Sequence, residues 1–165
     1  MRRYLPGKRV ERCALCGVEL AHGHPHLIEI GTRRLSCACE PCSVLFAHRG
    51  AATLRRAGRR VRHLPGFQMS DAQWEELRIP IGLAFFVTND AKHVTALYPG
   101  PAGPIESLLS LDAWDGIAAQ NPVLDEMEPE VEALLVNRIG EVRDYYLAPI
   151  DRCYELAGLI RTHWR

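Results

Sequence analysis

The segments Cys13-Ala14-Leu15-Cys16-Gly17 and Cys37-Ala38-Cys39-Glu40-Pro41-Cys42 decide how the first part of this chain folds. Each segment contains a C-x2-C pair, and 22 residues separate Cys16 from Cys39. Two such pairs are a common way for a chain to present four thiolates tetrahedrally to one metal ion, with a tight turn at each pair. The pattern therefore predicts a metal site whose ligands are Cys13, Cys16, Cys39 and Cys42.

Disulfide bonds are the other use of clustered cysteines, and the start of the chain argues against them. Residues 1–9 are basic and contain Pro6-Gly7, without the apolar segment that a secretory signal peptide needs. We therefore expect a cytoplasmic protein. In that reducing compartment the thiols stay available to a metal ion.

The donor set indicates which metal the site would hold. Four thiolates suit Zn2+, and a closed four-sulfur site is structural because no coordination position is left for water or substrate. A single iron ion, bound as in rubredoxin, would use the same four sulfurs. Zn2+ is therefore the predicted cofactor, and iron stays open as the alternative.

The remaining cysteine of the cluster, Cys37, lies two residues before Cys39, so both side chains would point to the same face of a strand. Cys37 is then either an alternative ligand or a small apolar residue packed beside the site. In the spacer, His22, His24 and His26 alternate, so an extended segment would place them on one side. We expect them to form a solvated polar segment rather than a second metal site.

The charge distribution predicts two units of different character. Residues 1–66 contain thirteen Arg or Lys and four Glu, a balance of +9, whereas residues 67–165 contain seven Arg or Lys and sixteen Asp or Glu, a balance of −9. We predict the α+β class throughout. A zinc-ribbon-like β-hairpin module would occupy residues 11–48 and a basic linker residues 49–66, before a larger mixed domain with antiparallel strands at 67–165.

Local signals predict the elements of the small module. The segments 27–30 and 33–37 would form a hairpin around Gly31-Thr32, and Pro41 would open a short apolar helical piece over 42–47. Chains of fewer than about 40 residues rarely fold without a metal ion or disulfides. We therefore expect the ion itself to fold this module.

The larger domain has clear helix and strand signals. Ser70 is predicted to cap a helix that starts at Asp71, and Asp151 is predicted to cap a final amphipathic helix that runs to Trp164. A further helix is expected over 108–119, and a rigid Pro/Gly loop over 99–104. Four apolar segments predict strands, at 80–87, 93–98, 131–137 and 145–150.

Motifs of catalysis are missing from the sequence. It contains no phosphate-binding loop, no dinucleotide fingerprint and no H-E-x-x-H, so we predict neither an enzyme nor catalytic residues. The arginine-rich run at 55–63 has no interleaved aromatic residue to stack on bases, which argues against nucleic acid. We expect a solvated linker that folds over the acidic unit or docks on an acidic partner protein. The most apolar stretch, 79–87, is too short to cross a membrane.

Motifs outside the cysteine pairs extend over nearly the whole chain: RIPIGLAFF at 78–86, YPGPAG at 98–103 and PIDRCYEL at 149–156. Together with the cysteines they resemble an uncharacterised bacterial domain-of-unknown-function family, whose genes often neighbour nickel-iron uptake hydrogenase genes. The resemblance implies a role in hydrogenase assembly or electron transfer, with a hydrogenase subunit or maturation factor as the partner. It implies no functional residues.

The sequence thus predicts a non-enzymatic, metal-binding accessory or scaffold protein. Two alternatives use the same cysteines. One is a rubredoxin-like redox carrier with a single iron ion, and the other is a zinc-ribbon regulator that binds nucleic acid.

Overall fold

The computed structural model describes residues 10–47, 53–107 and 113–163. The chain divides into two units, Met1–Arg56 (unit 1) and Ala57–Arg165 (unit 2). The division falls inside the range 49–66, which the charge pattern predicts as a linker. Both units combine helices with antiparallel strands, so the α+β class is confirmed.

A three-stranded antiparallel sheet forms the framework of unit 1. Strands β1 (His26–Glu29) and β2 (Leu35–Cys37) make the predicted hairpin, with Leu27 opposite Ser36. Gly31 adopts a φ of +83° in the connecting turn, which a residue without a Cβ adopts readily. On the other side of β1 lies a third strand, β3 (Leu54–Arg56), from the predicted linker range, so the sheet order is β2-β1-β3.

The helix of unit 1, α1 (Glu40–Phe46), starts directly after Cys39 and has Pro41 in its first turn, as predicted from that proline. Strand β3 (Leu54–Arg56) follows it in the chain. The buried core cluster of unit 1 has four members, and two of them are cysteines: Cys13, Leu27, Ala38 and Cys42. Much of this core therefore consists of predicted metal ligands.

A six-stranded antiparallel sheet forms the framework of unit 2, in the order β4-β9-β8-β5-β6-β7. Leu83 to Val87 of the central strand are all buried, which explains why this segment is a continuous apolar run rather than an alternating one. The strands are β4 (Arg62–His63), β5 (Leu83–Thr88), β6 (Val94–Gly100), β7 (Gly103–Glu106), β8 (Glu132–Asn137) and β9 (Asp144–Pro149).

The four predicted strands of unit 2 are confirmed as β5, β6, β8 and β9, but the prediction of a rigid loop over 99–104 is wrong. Strand β6 runs on through Pro99-Gly100, and β7 pairs with it from Gly103, leaving a two-residue turn. Gly103 has a φ of +134°, and a Cβ on Gly100 would lie 2.3 Å from Ile105. The glycines permit this tight reversal, although the prolines at the edge donate no ladder hydrogen bonds.

Helices cover both faces of this sheet. Helix α2 (Asp71–Glu76) has the predicted Ser70 cap, and α3 (Trp114–Gln120) is followed by a 3-10 helix (Pro122–Glu126). Residues 108–112 of the predicted 108–119 helix lie outside the described ranges. Helix α4 (Ile150–His163) packs against β6, β7, β8 and β9. The predicted cap at Asp151 is wrong, because the helix already begins at Ile150 and Asp151 lies within its first turn. No helix in the described ranges has the length and apolar character that crossing a bilayer requires.

The two sheet faces of unit 2 are both packed with aromatic side chains. On one face Phe86 stacks on Trp114, with ring centroids 5.1 Å apart. On the other face Phe85 meets Tyr154 of α4 edge-on at 5.7 Å. Burial in α4 raises the pKa of the Cys153 thiol to about 12, so this cysteine is an inert core residue.

One buried arginine fixes the start of α2. The Arg138 side chain is only 3% exposed and donates to the Met69 carbonyl at 3.0 Å and to the Tyr145 hydroxyl at 2.9 Å. It also pairs with Asp71 and lies over the ring of Trp74. Its charge is therefore fully compensated by hydrogen bonds and an ion pair, as burial of a cation requires.

Candidate metal centre

The first C-x2-C pair lies in a tight turn, as predicted. The amide of Gly17 donates to the Cys13 carbonyl and the amide of Cys13 donates to the Val18 carbonyl, both at 2.9 Å. Gly17 has a φ of +76°, which explains the glycine directly after Cys16. A β-bridge between Arg12 and Glu19 closes the base of the turn. Cys13 and Cys16 are thereby held on one short, hydrogen-bonded loop.

The second pair is presented by the start of a helix, and not by a second tight turn as expected. Cys39 is the N-cap of α1 and Cys42 lies in its first turn. The amide of Ser43 donates to the Cys39 carbonyl at 2.9 Å, which is the first bond of the helix. Pro41 favours this helical start, and residues three apart on a helix share one face. Both thiols therefore point to the same side.

The four predicted ligands come together in space. The Sγ atoms of Cys13, Cys16, Cys39 and Cys42 all lie within 4.8 Å of one another, and the Cys16 and Cys39 sulfurs are 3.7 Å apart. In a tetrahedral zinc site with Zn–S bonds of about 2.3 Å, the sulfurs are about 3.8 Å apart. All six cysteines are free thiols. The cluster is thus compatible with a metal site.

The thiols of this cluster differ in their pKa. For Cys13, burial would raise the pKa, but hydrogen bonds from the backbone around Cys39, Cys16 and Leu15 outweigh it and lower the pKa from 9.0 to about 6. For Cys42, contact with the Cys39 thiol and burial raise the pKa to about 12. In Cys16 the pKa is raised despite a backbone hydrogen bond at Val18. The cluster therefore accommodates a thiolate at Cys13, whereas Cys16 and Cys42 keep their protons unless a cation compensates further charge.

Cys37 does not belong to this group of four sulfurs. It ends β2, and its sulfur instead lies within 4.8 Å of ring nitrogens of His24 and His26. Burial, followed by the nearby charges of Glu11 and Cys13, raises the pKa of the Cys37 thiol.

The histidine segment also differs from the expectation of a solvated stretch. His22 is exposed, but the His24 side chain is only 8% exposed. The sequence did indicate that His26 and Cys37 lie close together, because the predicted hairpin places His26 opposite Cys37. The burial of His24 depends on tertiary packing, which the sequence pattern does not reveal.

The arginine-rich run at 55–63 is partly neutralised within each unit. Arg56 makes a bidentate pair with Glu40 in unit 1, at 2.7 and 2.9 Å, and Arg62 pairs with Glu126 in unit 2 at 2.8 Å. Unit 2 has a groove of about 200 Å³ beside the second pair, with basic and acidic walls. Its lining residues are Arg60, Arg62, Glu126, Glu132 and Leu147.

Comparison with known proteins places the chain in a family. Searches found no significant match among curated proteins and none among solved structures. A family model, described as a family of unknown function (DUF5947), matches residues 12–165. That range includes all the cysteines and most of both units. The chain belongs to the DUF5947 family.

Proposed function

We propose that this protein is a non-enzymatic, metal-binding accessory or scaffold protein in which a structural zinc ion folds a small zinc-ribbon-like unit. The observation that carries the proposal is the approach of four cysteine sulfurs to within 4.8 Å of one another. Cys13, Cys16, Cys39 and Cys42 would be the ligands. When bound, zinc would cross-link the N-terminal turn to the start of α1.

A closed four-thiolate site supports a structural role. Four protein ligands complete the tetrahedral shell of Zn2+, so neither water nor substrate can bind to the ion. The proposal of a non-enzymatic protein rests on this argument together with the absence of catalytic motifs from the sequence.

An acidic protein surface is the partner that the charge of unit 1 favours. Residues 1–56 contain ten Arg or Lys and only four Glu. Each of these glutamates already lies within 4 Å of a basic group of the same unit: Glu11 of His24, Glu19 of Arg12, Glu29 of Arg34 and Glu40 of Arg56. A zinc ion with four thiolates adds a charge of −2, which leaves unit 1 basic.

Exposed apolar residues on α1 add to the basic surface of unit 1 that we propose as the binding surface. Val44, Leu45 and Phe46 are 57%, 62% and 49% exposed. An apolar segment within a charged surround is typical of protein–protein interfaces. The resemblance to a family encoded beside hydrogenase genes makes a nickel-iron hydrogenase subunit or maturation factor the partner that we propose.

Metal analysis of protein purified without air tests the metal site. We expect a colourless protein with tightly held zinc that survives dialysis. Cys16→Ser should lose this zinc, whereas the matched control Cys153→Ala, a thiol of unit 2, should keep it. Iron in place of zinc, with sulfur-to-iron absorbance in the visible range, would instead support the redox-carrier alternative.

Binding to purified nickel-iron hydrogenase subunits and maturation factors tests the partner. We expect one of them to bind the wild type at physiological salt, and Leu45→Ser to weaken this binding. The matched control is Val142→Ser, which changes an apolar residue of unit 2 that is 40% exposed. If instead a gel shift with nucleic acid survives physiological salt, the regulator alternative gains support.

A further inference from the structure

Two histidines and a cysteine form a second group of metal-binding side chains in unit 1, outside the four-cysteine cluster. His26 and Cys37 face each other across the β1–β2 hairpin. The amide of Ala38 donates to the Pro25 carbonyl at 2.9 Å and fixes the strand pairing just beyond them. The ring of His24 lies 5.0 Å from that of His26. One nitrogen of each histidine and the Cys37 sulfur lie within 4.8 Å of one another.

His24 provides an independent indication of a ligand. Its Nδ1 lies 3.0 Å from the Ala21 carbonyl, to which only a protonated nitrogen can donate. This hydrogen bond leaves the lone pair of Nε2 available. Nε2 is buried and has no hydrogen-bond partner among the residues that the structure describes. Buried polar atoms normally have a partner, so the orphaned nitrogen indicates a missing one.

We propose that His24, His26 and Cys37 form a second metal site, which binds a divalent transition-metal ion such as Zn2+ and keeps its fourth coordination position open. Two imidazoles and a thiolate are donors that Zn2+ and Co2+ accept. Binding displaces the proton of the Cys37 thiol to solvent, and both histidines bind in their neutral form. The site could therefore accept water, a small anion or a donor from another molecule.

The surroundings of His24 match those of metal-bound histidines. Such histidines usually donate their second ring N–H to a backbone carbonyl or a carboxylate, which fixes the tautomer and the ring orientation. In this protein the Ala21 carbonyl accepts that bond, and a Glu11 carboxylate oxygen lies 3.7 Å from the same nitrogen. Nε2 is thereby the atom presented to the metal.

Cobalt titration of the zinc-loaded, full-length protein tests this site. One equivalent of Zn2+ first fills the four-cysteine site, where it binds more tightly than Co2+. Metal analysis at that stage keeps a failure of the four-cysteine site distinct from a failure of the second site. Added Co2+ should then bind at one further equivalent, with the visible bands of four-coordinate cobalt. Azide should shift these bands because it occupies the open position.

Single substitutions assign the cobalt to its ligands. His24→Ala, His26→Ala and Cys37→Ala should each weaken Co2+ binding by more than about 100-fold, since even outer-shell partners change metal affinity by about 10–100-fold. Glu11→Gln should weaken it by about 10-fold. The matched controls His22→Ala, an exposed neighbour, and Cys153→Ala should bind Co2+ like the wild type.

Two results would overturn the proposal. One is a zinc-loaded wild type that binds no further Co2+, and the other is cobalt binding that all three ligand substitutions leave unchanged. Nitrogen-15 NMR of the histidine rings in the wild type adds a measurement that needs no variant. A second equivalent of Zn2+ should shift the Nε2 resonance of His24 and one ring-nitrogen resonance of His26, and unshifted resonances would equally exclude the site.

Discussion

The cores of the two units differ in composition. In unit 2 the main core cluster contains thirteen buried residues, among them Phe86, Trp114 and Leu134. Among the residues of unit 1 that the structure describes, the cluster around the cysteines contains four buried residues, and two of these, Cys13 and Cys42, are proposed metal ligands. Buried apolar area is the main source of folding free energy. Unit 2 buries enough apolar area to stabilise its fold, whereas the cluster in unit 1 buries little. The comparison supports the proposal that a bound metal ion stabilises unit 1, whereas packing stabilises unit 2.

Removal of the metal should produce the largest difference in stability between the two units. Structural zinc supplies about 10–16 kcal/mol of apparent binding free energy in small peptides, which exceeds what the core of unit 1 can replace. Chelation under reducing conditions should therefore unfold unit 1 and leave unit 2 folded. Hydrogen exchange would show loss of protection in β1 and β2, with protection of β5 and β8 retained.

A metal-free protein with intact protection in β1 and β2 would contradict the proposal that an ion stabilises unit 1. Restoring Zn2+ serves as the control, because it should return the exchange pattern of unit 1 to that of the starting protein.

Loss of the buried arginine should destabilise unit 2 alone. Arg138→Ala removes hydrogen bonds to Met69 and Tyr145 and the pair with Asp71, so we expect the free energy of unfolding to fall by about 3 kcal/mol. Urea unfolding of unit 2 measures the change. Zinc affinity in unit 1 should stay the same.

Arg143→Ala is the matched control for this substitution. Arg143 contacts the same Asp71 at 3.3 Å, but its side chain is 40% exposed. Exposed ion pairs contribute little, so the loss should be below about 1 kcal/mol. Equal effects of the two substitutions would mean that burial of Arg138 does not increase its contribution to the free energy of unfolding.

Zinc affinity should increase with pH. The pKa values of Cys16 and Cys42 are raised, the latter to about 12, so both thiols are protonated at neutral pH. Unfolded thiols also keep their protons below about pH 8.5, so the same holds if unit 1 unfolds without metal. Zinc displaces these protons, and each one displaced changes the affinity about tenfold per pH unit.

The expected change is therefore at least about 100-fold per pH unit between pH 6.5 and 7.5, from the two protons of Cys16 and Cys42. If unit 1 instead stays folded without metal, the dependence should steepen below about pH 6, because the Cys13 thiol, with a pKa of about 6 in the folded unit, then takes up a proton as well. Competition with a chelator of known pH dependence measures this. A flat profile would exclude the cysteine thiols as ligands.

Features with local signals could be predicted from the sequence. The C-x2-C pairs come together, the glycine turn at Gly31 connects β1 and β2, and Ser70 caps α2. The Gly31 turn and the Ser70 cap depend on residues close in the chain, whose backbone preferences or hydrogen bonds act within a few positions. The two cysteine pairs are 22 residues apart, and their meeting could be predicted because two C-x2-C pairs form one ligand set. Four strands of unit 2 were also predicted, because their apolar runs are long enough to stand out.

Features that depend on distant residues could not be predicted. Strand β3 comes from an arginine-rich segment, and it is a strand because it pairs with β1, while Leu54 packs against the core cluster of unit 1. The β6–β7 hairpin was missed because Pro and Gly indicate a loop when read locally. The burial of His24 likewise depends on packing. At these positions the local sequence pattern predicts one structure, and tertiary contacts produce another.

The smallest expected effect concerns the surface of unit 1, where the Arg56–Glu40 pair joins β3 to α1. Arg56 is 27% exposed and its pair is bidentate, which makes it stronger than a fully exposed pair. We expect Arg56→Ala to lower the zinc affinity about threefold, since unit 1 folds and binds zinc in one step. Arg34→Ala is the matched control, because the Arg34–Glu29 pair is 3.6 Å long with an Arg34 side chain that is 76% exposed, and it should contribute nothing measurable. A tenfold or larger loss in Arg56→Ala would mean that side-chain contacts, and not the ion alone, hold unit 1 together.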